Sequence, residues 1–169
     1  MSPEQYATIV AIPTLADALA ARGDRRLNYL ACIAVFHVLD YVAATRFSGR
    51  EAIRQGLDNL QAEVAAKAPT EFKVVHGVCN GTKHAGGYKG QWREPGAERD
   101  VRPVGFGPDT GGWGDRWTHP GLEVIEDGQK VYLDRAAQVV LLRTCEACGR
   151  ELGAVDLSLL DADLRPPAT

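Results

Sequence analysis

The feature that most constrains this chain is a long segment that is apolar on nearly every side of a helix. From Leu27 to Val42, apolar residues recur at the three- and four-residue spacing of a helix, and most of the remaining positions are apolar as well. A helix with this pattern is typical of the centre of a bundle, because it must be covered on several sides. The segment therefore predicts a helical core.

Start signals for further helices recur along the chain. Residues with capping side chains precede apolar, helix-periodic segments. They are Ser2 (with Gln5), Asp24, Ser48 (with Glu51), Thr70 and Asp134. Pro13 is expected to kink or break the first helix, with a restart at Thr14.

The segment before the last helix has a different composition. It holds 12 of the 18 glycines and all three tryptophans between Gly81 and Gly128. Asp127-Gly128 between residues 122–126 and 129–133 predicts a two-residue hairpin, and residues 101–106 resemble a strand. We therefore predict a single, mainly α domain over residues 1–169. It is a bundle of about five helices, with a hairpin and a long Gly/Trp-rich loop (81–133) inserted before the last helix.

Composition narrows the function classes. The net charge of −3 does not favour a general nucleic-acid binder. The longest uninterrupted apolar run, residues 29–36, is far shorter than the roughly 20 residues of a membrane span. The first residues lack the features of a signal peptide. Four cysteines in apolar helical patterns are then expected to be reduced, in a cytoplasmic protein that does not contact membranes.

Polar residues in the apolar helices are the candidates for a site. His37 and Asp40 lie three residues apart in the most apolar helix, and a carboxylate there must be paired or protonated. A second segment places polar groups at helical spacing, and antiparallel packing of the two helices would form one buried cluster. Its members are His37, Asp40, His76, Asn80, Lys83 and His84.

Three interpretations of this cluster stay open. It is a structural network of mutually satisfied groups, a catalytic or nucleotide-binding site, or a metal site, for which histidine and aspartate are suitable ligands. No compact metal motif is present, and we predict neither a metal nor a cofactor. Cys145 and Cys148 form a CxxC motif, which we interpret as core packing because both follow one apolar stripe.

The long loop offers a second set of binding candidates. Trp92 and Arg93 belong to a series of aromatic and cationic residues of the kind that stack on bases. Acidic residues in the same loop nearly cancel its positive charge. Tryptophans that fold back to cover the bundle are the alternative.

Two motifs carry a family resemblance: residues 36–41 (Phe-His-Val-Leu-Asp-Tyr) and residues 80–84 (Asn-Gly-Thr-Lys-His). The pair resembles bacterial and phage-encoded proteins with an H-x-x-D/E-aromatic helix followed by an Asn-Gly-x-Lys-His segment. More loosely, it resembles the HEPN helical bundles, which are often dimers and include RNases of defence systems. Their usual arginine–histidine motif is absent, since no arginine precedes any of the four histidines at that spacing. Only the bundle and residues 80–84 carry over.

The resulting expectation is a HEPN-like protein that binds a nucleotide or RNA and could cleave it. His84 would act as general acid or base, Lys83 would hold phosphate, and Asp40 would orient His84, with His37 beside them. His76, Asn80, Trp92 and Arg93 would contribute to binding. The alternatives are a non-catalytic interaction module, such as an oligomeric phage or defence-locus accessory protein, and a metal-dependent hydrolase.

Overall fold

The computed structural model describes residues 1–83, 102–103 and 122–160. The described chain is mainly helical, as predicted. The helices are α1 (Pro3–Tyr6), α2 (Ile12–Ala20), α3 (Arg25–Arg46), α4 (Arg50–Lys67), α5 (Pro69–Lys83), α6 (Leu133–Ala147) and α7 (Gly149–Leu152). The strands are β1 (Arg102–Pro103), β2 (Leu122–Glu126) and β3 (Gln129–Tyr132).

The chain passes through Pro13 without a break in the helix. The predicted capping box at Ser2 and Gln5 is confirmed by reciprocal hydrogen bonds of 3.1 and 3.0 Å. A π-helical turn, Ala7–Ala11, then joins α1 to α2, and the Ile12 amide donates to the Ala7 carbonyl. Proline lacks an amide hydrogen and crowds the preceding turn, and the wider π turn accommodates both effects. The expected restart at Thr14 is therefore wrong.

Helix α3 is the centre of the core. Asp24 caps it as predicted, with its carboxylate accepting from the Leu27 amide at 3.0 Å. It packs against α2, α4, α5 and α6. Our expectation that no segment could span a membrane needs correction, because α3 is long and apolar enough by length and composition. Core helices pass the same test, and 56% of its most apolar window is buried in the bundle.

Two predicted helix starts are shifted. Gly49, at φ +86°, occupies the N-cap of α4 in place of Ser48, and no side chain caps this helix. Helix α5 begins at Pro69, so Thr70 lies inside its first turn. Proline suits the first turn because its missing amide hydrogen has no partner there. Helix α5 also continues through Asn80-Gly81 to Lys83, beyond the predicted boundary of the inserted segment at residue 81.

The predicted hairpin is confirmed. Strands β1, β2 and β3 form an antiparallel sheet in that order, with Glu126 opposite Gln129 at the tight turn. Asp127 and Gly128 both have positive φ, at 50° and 78°. These angles match the type I′ turn that Asp-Gly favours. Strand β1 falls within the segment predicted to be extended.

Helix α6 follows the hairpin directly and packs on α3 and α5. It begins at Leu133 with no side-chain cap at Tyr132. Asp134, predicted as the cap, lies within the first turn and is fully buried. Its carboxylate forms an ion pair with Arg22.

Candidate functional site

The first predicted pair lies on a narrow, partly exposed stripe of α3. His37 and Asp40 face each other, with 3.8 Å between the imidazole Nε2 and a carboxylate oxygen. Their side chains are 26% and 41% exposed. The expectation that Asp40 is largely buried is therefore wrong. Ile33 and Tyr41 share this partly open stripe, so α3 is not covered on every side.

The second predicted pair lies on α5. The Asn80 amide nitrogen and the His76 Nε2 are 2.7 Å apart, and both residues are partly buried. With the ring proton on Nδ1, the amide donates and Nε2 accepts. The His76 ring also stacks on Phe36 at 5.2 Å between centroids and on Phe72 at 5.9 Å. The His76 side chain is thus held in place by Asn80 and Phe72 of its own helix and by Phe36 of α3.

The partly exposed side of α5 continues beyond this pair, and we call it the α5 polar face. It comprises Lys73, His76, Gly77, Asn80 and Gly81. These positions are separated by three or four residues and share one side of the helix. Within the part of the chain that the structure describes, a Cβ added at Gly81 would meet nothing within 4 Å. The face therefore combines a cation, an imidazole and an amide with little steric cover at Gly81.

The direction of the two helices differs from the expected antiparallel packing. Phe36 contacts Phe72 and His76, whereas Tyr6, stacked on Tyr41 at 4.2 Å, lies close enough to Asp40 and Cys79 for both to contribute to its raised pKa. The contacts advance in the same order along both helices, so α3 and α5 run in the same direction. One helix, the 18-residue α4, lies between them in the chain and returns it toward the end where α3 begins.

Tyr6 lies beside the α3 pair. Burial, followed by the proximity of Tyr41 and Asp40, raises the pKa of Tyr6 to about 12. Its phenol is therefore neutral at physiological pH and remains a hydrogen-bond donor.

The other predicted site residues cannot be placed in the same way. His84, Trp92 and Arg93 lie outside the described residues, and Lys83 ends α5 with its side chain outside them. The described structure thus joins His37 to Asp40 and His76 to Asn80, and Phe36, the residue before His37, contacts the His76 ring. The predicted roles of Lys83 and His84 stay predictions.

The sequence did not identify a buried polar cluster formed by Arg22, Asn28 and Asp134. Arg22, between α2 and α3, forms an ion pair with Asp134 of α6, which is fully buried. Asn28 is also fully buried, and its amide donates to the carbonyls of Arg22 and Asp24 at 3.0 and 2.9 Å. Among the described residues, one guanidinium nitrogen of Arg22 and the Asn28 side-chain oxygen have no hydrogen-bond partner. The sequence offers one indication of this cluster: Asn28 is a polar residue in the first turn of the otherwise apolar helix α3.

The cysteines are free thiols. Core packing of the CxxC motif is confirmed for Cys148, which is buried, while Cys145 is partly buried. Burial raises the pKa of Cys145 to about 12, with a smaller contribution from Cys148. The Cys145 thiol is thus protonated at neutral pH, the unreactive form.

Within the part of the chain that the structure describes, no group of three or more histidine, cysteine, aspartate or glutamate residues could hold a metal ion. The chain matches no protein-family model, no curated protein and no solved structure. Its functional residues are therefore identified from its own geometry and chemistry.

Proposed function

We propose that this chain is a HEPN-like helical protein that binds a nucleotide, free or as part of RNA, at the α5 polar face. The observation that carries the proposal is the His76–Asn80 pair. It lies partly exposed on a helix whose other side is buried in the core. An amide and an imidazole supply donors and acceptors of the kind that read base edges, and the imidazole ring is held by stacking on the buried rings of Phe36 and Phe72.

Exposure of the α3 pair supports the same proposal. Asp40 and His37 reach solvent from the central helix of the bundle, so they can contact a ligand that a buried network would exclude. Phe36 packs on His76 and precedes His37 in the chain, which keeps the α3 pair near the α5 polar face. RNA cleavage is the catalytic form of the proposal, with His84 as general acid or base, Lys83 holding phosphate and Asp40 orienting His84.

Binding by purified full-length protein tests this function. Fluorescence polarisation with labelled single-stranded RNA, and calorimetry with ATP and GTP, distinguish the two sources of nucleotide. We expect Asn80→Ala to weaken binding by about tenfold, equivalent to about 1.4 kcal/mol, the scale of one hydrogen bond. Gel analysis of the same RNA after incubation reports cleavage, which His84→Ala should abolish.

A matched pair on α4 provides the control. Gln55 donates to Asn59 at 3.2 Å with the same four-residue spacing, but on an exposed surface of α4. Gln55→Ala should leave binding unchanged. Failure of the wild type to bind RNA, ATP or GTP would refute the proposal, as would equal binding by the Asn80→Ala and Gln55→Ala variants.

A non-catalytic interaction module is the second candidate. The observation that favours it is the mutual hydrogen bond of His76 and Asn80, which is also what a purely structural pair forms. Under this function, Asn80→Ala lowers the melting temperature and wild-type protein binds no nucleotide.

A further inference from the structure

The turn between β2 and β3 is tied to the α5 polar face by a lysine. The Lys73 ammonium lies 2.6 Å from a carboxylate oxygen of Glu126 and 2.9 Å from one of Asp127. The hydrogen bonds that Lys73 donates to Glu126 and then to Asp127 raise the pKa of Lys73, so the ammonium is charged at neutral pH. The acidic end of the hairpin therefore surrounds a cation of the proposed binding face.

Lys73 is aligned with the proposed binding pair. It lies three residues before His76 and seven before Asn80, so all three project from one side of α5. At 1.5 Å of rise per residue, Lys73 is about 4.5 Å from His76 and about 10 Å from Asn80 along the helix axis. A ligand contacting the pair would have Lys73 within reach of a phosphate group.

The two carboxylates that contact Lys73 differ in exposure. The Glu126 side chain is only 7% exposed, whereas that of Asp127 is 77% exposed, and Lys73 itself is 47% exposed. Exposed ion pairs contribute little stability and exchange readily with solvent ions. Asp127 is thus the exchangeable partner, while Glu126 is the fixed one.

We propose that Lys73 is a phosphate-binding residue of the α5 polar face, and that Asp127 occupies it in the ligand-free chain as an autoinhibitory contact. The inference rests on the proposed function, because it assigns the phosphate of the same nucleotide ligand. Phosphate oxygens replace the Asp127 carboxylate at the ammonium, forming charge-assisted hydrogen bonds of the same geometry. Glu126 stays in place and keeps the hairpin on α5.

Asp127→Asn removes the carboxylate charge while preserving the conformation of the turn. Asn-Gly is the preferred sequence of a type I′ turn, so the hairpin keeps its conformation while the competing carboxylate is removed. We expect this variant to bind labelled RNA or ATP about two- to fivefold more tightly than the wild type, the range of exposed ion pairs. Unchanged or weaker binding would overturn the autoinhibitory contact.

Lys73→Met tests the phosphate contact itself. We expect a loss of about tenfold in affinity for labelled RNA. The slope of the logarithm of the binding constant against the logarithm of the salt concentration should also become shallower by about 1, as expected when one phosphate contact is lost. Lys67→Met is the matched control, since Lys67 forms a 3.6 Å ion pair with Glu63 on α4. Equal binding by the two variants would overturn the role of Lys73. Far-UV circular dichroism and the melting temperature verify that each variant is folded.

The outcomes separate the two proposals. If the wild type binds and Asn80→Ala weakens binding, but neither Lys73→Met nor Asp127→Asn has an effect, only the Lys73 inference fails. If the wild type binds no nucleotide or RNA, the proposed function fails and the Lys73 inference, which rests on it, fails as well.

Discussion

Asp134 illustrates what residue chemistry can and cannot predict. A carboxylate in an apolar environment needs a partner, and that reasoning was applied to Asp40, which is 41% exposed. The same reasoning holds for Asp134, which is fully buried and paired with Arg22 across 112 residues of sequence. The physical rule was sound, but only the tertiary packing determines which carboxylate it applies to.

Removal of Arg22 should therefore be costly. Arg22→Met leaves the buried Asp134 charge without its counter-ion, and we expect a loss of about 3–5 kcal/mol in the free energy of unfolding. The double variant Arg22→Met with Asp134→Leu should recover most of this loss, because no charge stays buried. Urea unfolding at pH 7 measures both effects.

An exposed ion pair on α6, the helix that carries Asp134, is the control. Arg143 and Glu146 lie 2.6 Å apart on α6, at 41% and 30% exposure. Arg143→Met should cost less than about 1 kcal/mol. A similar loss for Arg22→Met and Arg143→Met would contradict the structural importance of the buried pair.

At the scale of elements, local patterns predicted the types of element better than their ends. The caps at Ser2 and Asp24 and the turn at Asp127-Gly128 are correct because each is determined by neighbouring residues. Ser48 and Thr70 have suitable side chains, but Gly49 and Pro69 occupy the positions that begin α4 and α5. Several residues near a helix start can satisfy the same rule, and packing selects one of them.

Gly56 of α4 is a packing requirement that no periodicity reveals. A Cβ at this position would overlap the ring of Phe47, which is packed against the core. We expect Gly56→Ala to destabilise the protein by about 1–3 kcal/mol, because the ring must move and overpacking exceeds the gain in helix propensity. Thermal or urea unfolding gives the value.

Gly81 of α5 is the matched comparison. It is also helical, and a Cβ there meets no described residue within 4 Å. Gly81→Ala should therefore leave stability unchanged or raise it by up to about 1 kcal/mol. Equal effects of the two substitutions would show that Phe47 does not restrict residue 56.

For the whole molecule, the helical core was predictable and the arrangement of its polar residues was not. The apolar periodicity of α3 identifies a central helix, and its capping residue and turn signals locate its neighbours. Periodicity gives the buried side of each helix but not the helix it packs on or its direction. His76 and Asn80 were thus predicted to share a face, whereas the parallel direction of α3 and α5 was not.

The end of α3 is joined to the C-terminal part of the fold by one ion pair. Arg46 donates two hydrogen bonds, of 2.8 and 2.6 Å, to the carboxylate of Glu151 on α7. The Glu151 side chain is 9% exposed, and α7 also contacts α1 and α6. A short helix thus connects both ends of the described chain to the central helix.

This ion pair makes the stability of the whole molecule dependent on acid. The hydrogen bond from Arg46 lowers the pKa of Glu151 below its ordinary value of 4.5. A lowered carboxylate pKa stabilises the folded chain above the unfolded pKa, and this stabilisation is lost as pH falls through the folded pKa. At pH 7, Glu151→Gln should reduce the free energy of unfolding by about 1–3 kcal/mol, as expected for a charged hydrogen-bond pair. Below pH 4.5 the difference from the wild type should shrink toward zero, because the wild-type carboxylate becomes protonated. Urea unfolding between pH 7 and pH 3 measures this convergence.

Glu63→Gln, which alters a more exposed pair at 3.6 Å, is the control and should change stability by less than about 0.5 kcal/mol across the same pH range. A difference between wild type and Glu151→Gln that is the same at pH 3 and pH 7 would exclude the ionised pair as its source.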